Sequence, residues 1–147
     1  MINYFKAAER TLAQRGNLDR ALENLERRRD KAIRRGVPKD LKTIDHSGAY
    51  VSGGGVNDVL ADRLEVAELN RAIERTRDTI EEIDRVLAQL NAADSDLLRA
   101  WYIEHKSKEE IAALTNYSSA STLYDLRNKA VAAFAILYYG AGALASM

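Results

Sequence analysis

The 147-residue chain contains no cysteine. A disulfide framework and a thiolate metal site are therefore excluded. There are two histidines, His46 and His105, and their spacing suggests no metal-ligand set. No Ser/His/Asp set or carboxylate pair stands out, so neither an enzyme nor a cofactor is expected. The one glycine-rich stretch, Ser52-Gly53-Gly54-Gly55, lacks the Gly-Lys-Ser/Thr ending of a phosphate-binding loop and follows no strand pattern. Met1-Ile2-Asn3-Tyr4-Phe5-Lys6 leads straight into charged sequence. No secretory leader is expected, and the chain reads as soluble and intracellular. Charge of one sign is also lacking. The 22 Lys/Arg balance 22 Asp/Glu, and a net charge of zero argues against strong non-specific binding to nucleic acid.

The charge is unevenly distributed. Residues 1–45 carry 12 cations and 7 acids, residues 46–94 carry 5 and 10, and residues 95–147 carry 5 and 5. The basic first third reads as helix. Leu18, Leu22, Leu25 and Ala32 form one apolar stripe, and Phe5, Ala8 and Leu12 form an earlier one out of phase with it. The slip predicts a break at Gly16-Asn17. Gly36 and Pro38 predict the end of the longer helix, with Arg34-Arg35 complementing its negative terminus.

Residues 37–57 read as a loop around the glycine run, which is not expected to hold a regular element. Residues 58–91 carry the strongest periodicity. Val66, Leu69, Ile73, Thr76, Ile80, Ile83, Leu87 and Leu90 alternate steps of three and four, a heptad seam with one polar position. A helix of this length spans roughly 50 Å at 1.5 Å per residue. So narrow a stripe wants one partner helix. The N-terminal helix, folded back through the loop, is the expected partner; a second copy in a homodimer is the alternative. In the hairpin, the run Arg27-Arg28-Arg29 with Lys31, Arg34 and Arg35 would face Glu74, Glu81, Glu82 and Asp84. Contact of this run with nucleic acid is the competing reading.

The segment from Asp94 to Tyr139 carries the functional reading. Ser107-Lys108-Glu109-Glu110 is a capping box that opens a short helix with Ile111 and Leu114 on one face. Asn116-Tyr117-Ser118 interrupts it. Ser118 is placed to cap a second helix, whose apolar positions Leu123, Leu126, Ala130 and Ala133 fall at helical spacing. Two helices joined by so short a turn form the unit that lays its second helix in the DNA major groove. From Ala130 to Met147 no charged residue occurs. Its length approaches a membrane span, but its Ala and Gly content favours packing on protein, so no membrane partner is expected.

The run Leu97-Leu98-x-x-Trp101-Tyr102-Ile103, Glu109-Glu110-Ile111-Ala112, Tyr117-Ser118, Thr122-Leu123-Tyr124-x-Leu126 and Lys129-Ala130-Val131-x-x-Phe134-Ala135 resembles the ArpU/RinA-type phage transcriptional regulators. Their C-terminal part is similar to region 4 of sigma factors. The resemblance covers about the last 50 residues. It implies a regulator of phage or prophage late genes in the bacterial cytoplasm, with double-stranded DNA as partner, and neither enzyme activity nor metal. Two departures concern the DNA contacts. Ser119-Ala120-Ser121 is one residue longer than the pattern expects before Thr122, and Arg127 and Lys129 are the reading helix's only cations.

The expected architecture is all-α: a long antiparallel, coiled-coil-like hairpin over 1–92, then a helix-turn-helix domain over 93–147. Ser119, Ser121 and Thr122 start the reading helix, where hydroxyl groups reach bases or phosphates. Tyr124 and Asp125 follow, and Asp can accept from a cytosine amino group. Arg127, Asn128 and Lys129 are placed to grip the backbone. Lys106 and Lys108 flank the first helix, whose N-terminus can face a phosphate. Capping explains Ser119 and Ser121 equally well, and core packing explains Trp101 better and Tyr124 somewhat better. Two other functions fit the pattern. One is a terminase small-subunit-like packaging protein. The other is a coiled-coil adaptor that docks on RNA polymerase with little DNA contact.

Overall fold

The computed structural model describes residues 2–36, 52–116 and 119–146. Within them the protein is all-α, with six α-helices and no strand. Asn3 opens α1 (Tyr4–Ala13), its side chain accepting from the Lys6 amide at 3.1 Å. Ala8 and Leu12 on the expected stripe are fully buried. The break before α2 (Arg15–Gly36) falls at Gln14, not at Gly16-Asn17. Gln14 donates to the Arg10 carbonyl, and Leu18 donates to that of Gln14, each at 3.1 Å, so hydrogen bonding carries on across the turn. A glycine inside a helix costs only about 1 kcal/mol, and Gly16 is carried by its neighbours.

The third helix, α3, runs from Ser52 to Gln89. The glycine run expected to be loop is therefore helical backbone. Once a helix is nucleated, each added residue gains a hydrogen bond, and that gain outweighs the glycine penalty here. Positions 37–51, including Pro38, lie outside the described residues.

The chain divides into two compact units, Met1–Asp19 with Asp78–Met147, and Arg20–Arg77. In the Arg20–Arg77 unit, Ala32 and Ile73 are fully buried and Leu22, Leu25, Val66 and Leu69 are half-buried. Thr76, the polar seam position, turns its hydroxyl back to the Ala72 carbonyl at 2.7 Å, so it leaves no unmet donor. Arg35 meets Glu65 at 2.5 Å and Arg77 meets Glu26 at 3.4 Å, so α2 and α3 run antiparallel.

These pairs correct the expected electrostatics. Among the described residues of the run from Arg27 to Arg35, Arg35 alone is ion-paired to an acid of α3, and Glu74, Glu81 and Glu82 are exposed. Asp84 instead takes Arg15 in two parallel bonds of 2.9 Å. That fork, backed by Asp19 at 2.8 Å, holds the Arg15 guanidinium charged beyond its ordinary range.

The other unit packs α1, the end of α3, α4 (Ala92–Leu98) and α6 (Ala120–Tyr139) around Phe134, Leu12, Ile83, Leu87 and Leu98, all fully buried. Asn91 caps α4 by accepting from the Asp94 amide at 2.8 Å. One π-helical turn, Arg99–Ile103, extends α4, with the Glu104 amide donating to the Arg99 carbonyl at 2.8 Å. At the other end of the unit Gly140 has a φ of 83°, which a glycine adopts without strain. It turns the chain into a 3₁₀ helix (Gly140–Ser146) that buries Ala143. Tyr139 packs with its ring tilted against Tyr4, centroids 5.2 Å apart, and shares a 2.9 Å hydrogen bond with Thr11. The uncharged stretch thus packs on protein, as expected, here on α1 of the same unit. Among the described residues no helix is long and apolar enough to cross a membrane.

Candidate nucleic-acid interface

The capping box forms as read. Ser107 Oγ accepts from the Glu110 amide at 3.2 Å, and Glu110 Oε1 accepts from the Ser107 amide at 3.4 Å. It opens α5 (Lys108–Thr115), which stops at Asn116 in the left-handed conformation, φ 61°. Asparagine tolerates that region better than most residues, so the stop is local chemistry. Tyr117 and Ser118 lie outside the described residues, and the cap assigned to Ser118 lies there with them. Ser119 occupies the N-cap of α6. Its hydroxyl bonds Ser121 Oγ at 3.0 Å and caps no backbone amide.

The first half of α6 is two-sided. Leu123 and Ala130 are buried, sharing the core with Ile111 and Leu97. Ser119, Ser121, Asp125, Asn128 and Lys129 are exposed, and Thr122 is half-buried. Positions 121, 125 and 128 share one outward strip at helical spacing. Lys108 is exposed at the start of α5, while Lys106 is partly covered and paired with Glu104 at 3.1 Å.

Tyr124 and Arg127 behave differently from the other candidates. Trp101 on the π turn meets Tyr124 edge to face at 5.5 Å. Arg127 lies 5.1 Å from the Trp101 ring and 5.0 Å from that of Tyr124. Lys108 sits 4.8 Å over Tyr124. The Lys108 ammonium beside the Tyr124 hydroxyl, with the charge of Arg127, holds the phenol below its ordinary value. Arg127 also donates to Asn128 Oδ1 at 2.8 Å and approaches Glu9 Oε2 at 4.0 Å. Its side chain is 20% exposed, so this guanidinium is part of the scaffold under α6.

Glu9 is the residue that sequence reasoning missed. Buried Tyr102 donates to Glu9 Oε2 at 2.8 Å, and burial followed by that bond pushes the phenol well above its ordinary range. The π turn widens the helix by one residue per turn. Consecutive aromatics on it serve different neighbours, Trp101 the α6 side chains and Tyr102 the α1 carboxylate. Nothing in the spacing of Glu9 signalled this contact.

A groove of about 490 Å³ opens beside α5, lined by Leu97, Ala100, Ile111, Leu114 and Leu126 with Asp94, Asp96, Arg99, Glu104 and Lys106 among its polar groups. Leu114 is 58% exposed. Among the described residues no three His, Asp or Glu side chains gather to hold a metal ion. No protein family, no curated protein and no solved structure matches the chain.

Proposed function

We propose that the chain is a sequence-specific DNA-binding transcription regulator in which α5 and α6 act as a helix-turn-helix and α6 enters the major groove. The observation that carries this reading is the two-sided start of α6. Ser121, Asp125, Asn128 and Lys129 face out, while Leu123 and Ala130 anchor the helix from behind. A recognition helix needs this arrangement, with polar groups at its first turns and a fixed back. In this reading Ser121, Thr122 and Asp125 lie nearest the bases, and Lys129 and Lys108 meet phosphates. Arg127 holds the helix by stacking. The resemblance to ArpU/RinA-type regulators adds the setting, late-gene control in a phage or prophage within a bacterial cytoplasm.

Selection of duplexes from a randomised pool by the purified chain tests the reading. Enrichment of a motif whose preference changes with Thr122→Ala supports it. Recovery of no motif, with no binding to any duplex, sinks it.

A second reading is favoured by one observation, the groove beside α5 with Leu114 exposed at its edge. In that reading the domain docks on another protein, such as RNA polymerase, and touches DNA little. Leu114→Asp would then abolish the regulatory effect in a reporter strain while leaving the selected duplex bound as before.

A further inference from the structure

The structure assigns a second polyanion-binding surface to the outer face of α2: we infer that Arg20, Arg27, Arg28, Lys31 and Arg34 form a sequence-independent contact with the phosphate backbone of double-stranded nucleic acid. The inference stands on the Arg20–Arg77 unit alone and does not require the reading of α6.

The observation is how α2 sorts its side chains. At about 100° per residue, three sectors emerge. Leu22, Leu25 and Ala32 lie in the apolar sector, half-buried or buried. Asp19, Glu23, Glu26 and Asp30 fall in a second sector. Arg20, Arg27, Arg28, Lys31, Arg34 and Arg35 fall together in the third, within about 120° of arc, and all six are exposed. No acid interrupts that third sector. Ordinary surface helices intersperse the two signs, because opposite charges at i,i+4 are favourable and like charges are not. Here like charges sit at 27/31 and 31/35, and the opposite-charge i,i+4 pairs, 23/27 and 30/34, reach only cations at the sector's acidic side.

Ion pairing across the unit takes up little of the stripe. Among the described residues the ion pairs joining α2 to α3 in this unit use Glu26 and Arg35. The other five cations of the stripe form no ion pair with a described residue. Arg35 is the C-terminal end of the stripe, tied to Glu65. The zero net charge of the chain thus hides a local field, since the acids of α2 lie on its flank.

Geometry and chemistry favour nucleic acid as the occupant. From Arg20 to Arg35 the stripe is roughly 22 Å long at 1.5 Å per residue. That length matches about six base pairs of a duplex, which carries one charge per ~1.7 Å of axis. Four of the five unpaired cations are arginine, whose planar fork suits phosphate oxygens. A membrane surface fits less well. An interfacial helix inserts its apolar face, and here that face is covered by α3, as buried Ala32 and Ile73 record.

The test uses the full chain, a fluorescein-labelled duplex of random sequence, and anisotropy at several salt concentrations between ~50 and ~200 mM. The expected result is measurable binding by the wild-type chain. In the variant Arg27→Gln/Arg28→Gln/Lys31→Gln/Arg34→Gln, the slope of log K against log salt should become shallower by about three to four units. The matching Lys variant, with Arg27, Arg28 and Arg34 replaced, should keep most of the slope. Unchanged circular dichroism is expected for both, because the positions are exposed. No wild-type binding at the lowest salt, or identical slopes for wild type and the Gln variant, overturns the inference. So does loss of binding to phosphatidylserine vesicles in the Gln variant with duplex binding retained. Failure here would be separable from failure of the α6 reading, because Thr122→Ala alters sequence preference and leaves this slope alone.

Discussion

Tyr102 donates its phenol hydrogen to Glu9 Oε2 at 2.8 Å, across 93 positions of sequence. The same carboxylate oxygen stands 4.0 Å from the Arg127 guanidinium. One side chain of α1 thus ties the π turn to the candidate reading helix. Removing the hydroxyl with Tyr102→Phe should lower stability by about 1–2 kcal/mol, since the bond goes to a charged acceptor that keeps some solvent access. Urea unfolding checks this; an unchanged midpoint contradicts it.

Burial of the Tyr102 phenol, reinforced by this bond, gives a pH signature. A phenol whose folded pKa is raised stabilises the fold fully below its ordinary value near 10 and loses that contribution as pH rises past it. Wild type should therefore lose stability more steeply than Tyr102→Phe above about pH 10, by up to roughly 1.4 kcal/mol per pH unit. Thermal melts of the two chains at closely spaced alkaline pH values measure the difference. Parallel curves would show that the phenol is not held this way.

Arg127 and Lys129 should part company under mutation. Arg127→Ala removes stacking on Trp101 and should cost about 1 kcal/mol of stability, and Arg127→Lys should not restore it because the planar fork is lost. Lys129→Ala, at an exposed position, should leave stability within about 0.5 kcal/mol and reduce the salt slope of DNA binding by about one. Denaturation and a salt titration read the two effects separately.

Core and seam predict a sharper contrast. Phe134→Ala should cost about 3–5 kcal/mol, the range for a fully buried Phe. Ile73→Asp should melt the Arg20–Arg77 unit by leaving an unpaired charge in its centre. Retained helicity and an unchanged melting temperature for Ile73→Asp would mean that the seam is not buried.

Much of the fold was legible because local rules and burial agreed. The seam from Val66 to Leu90 is read from spacing alone, and every position on it is at least half-buried. The Ser107/Glu110 box is fully local, so sequence suffices. The glycine run at 53–55 misled because propensity is local while helix growth is cooperative. Gly54→Ala should therefore raise helicity and stability by up to about 1 kcal/mol, and a loss would restore the loop. The π turn and Glu9 were not legible. The π turn falls in the unbroken apolar run Ala100-Trp101-Tyr102-Ile103, where a one-residue slip of register leaves no mark, and a long-range hydrogen bond carries no period. The exposure of Ser121, Asp125 and Asn128 followed from the apolar back of α6. The anchoring of Arg127 did not, because a cation in a sequence looks the same whether it points outward or lies on a tryptophan.

The absence of cysteine allows the most direct test of the groove-binding claim. A single cysteine at Ser121→Cys, carrying an iron–EDTA chelate, cuts a bound duplex wherever α6 lies. The same chelate at Ala88→Cys, an exposed position of α3, serves as the comparison. On a duplex recovered by selection, we expect strong, localised cleavage of both strands from position 121 and little from position 88. Cleavage equal from both positions, or none from 121 while the duplex remains bound, would contradict the placement of α6 in the groove.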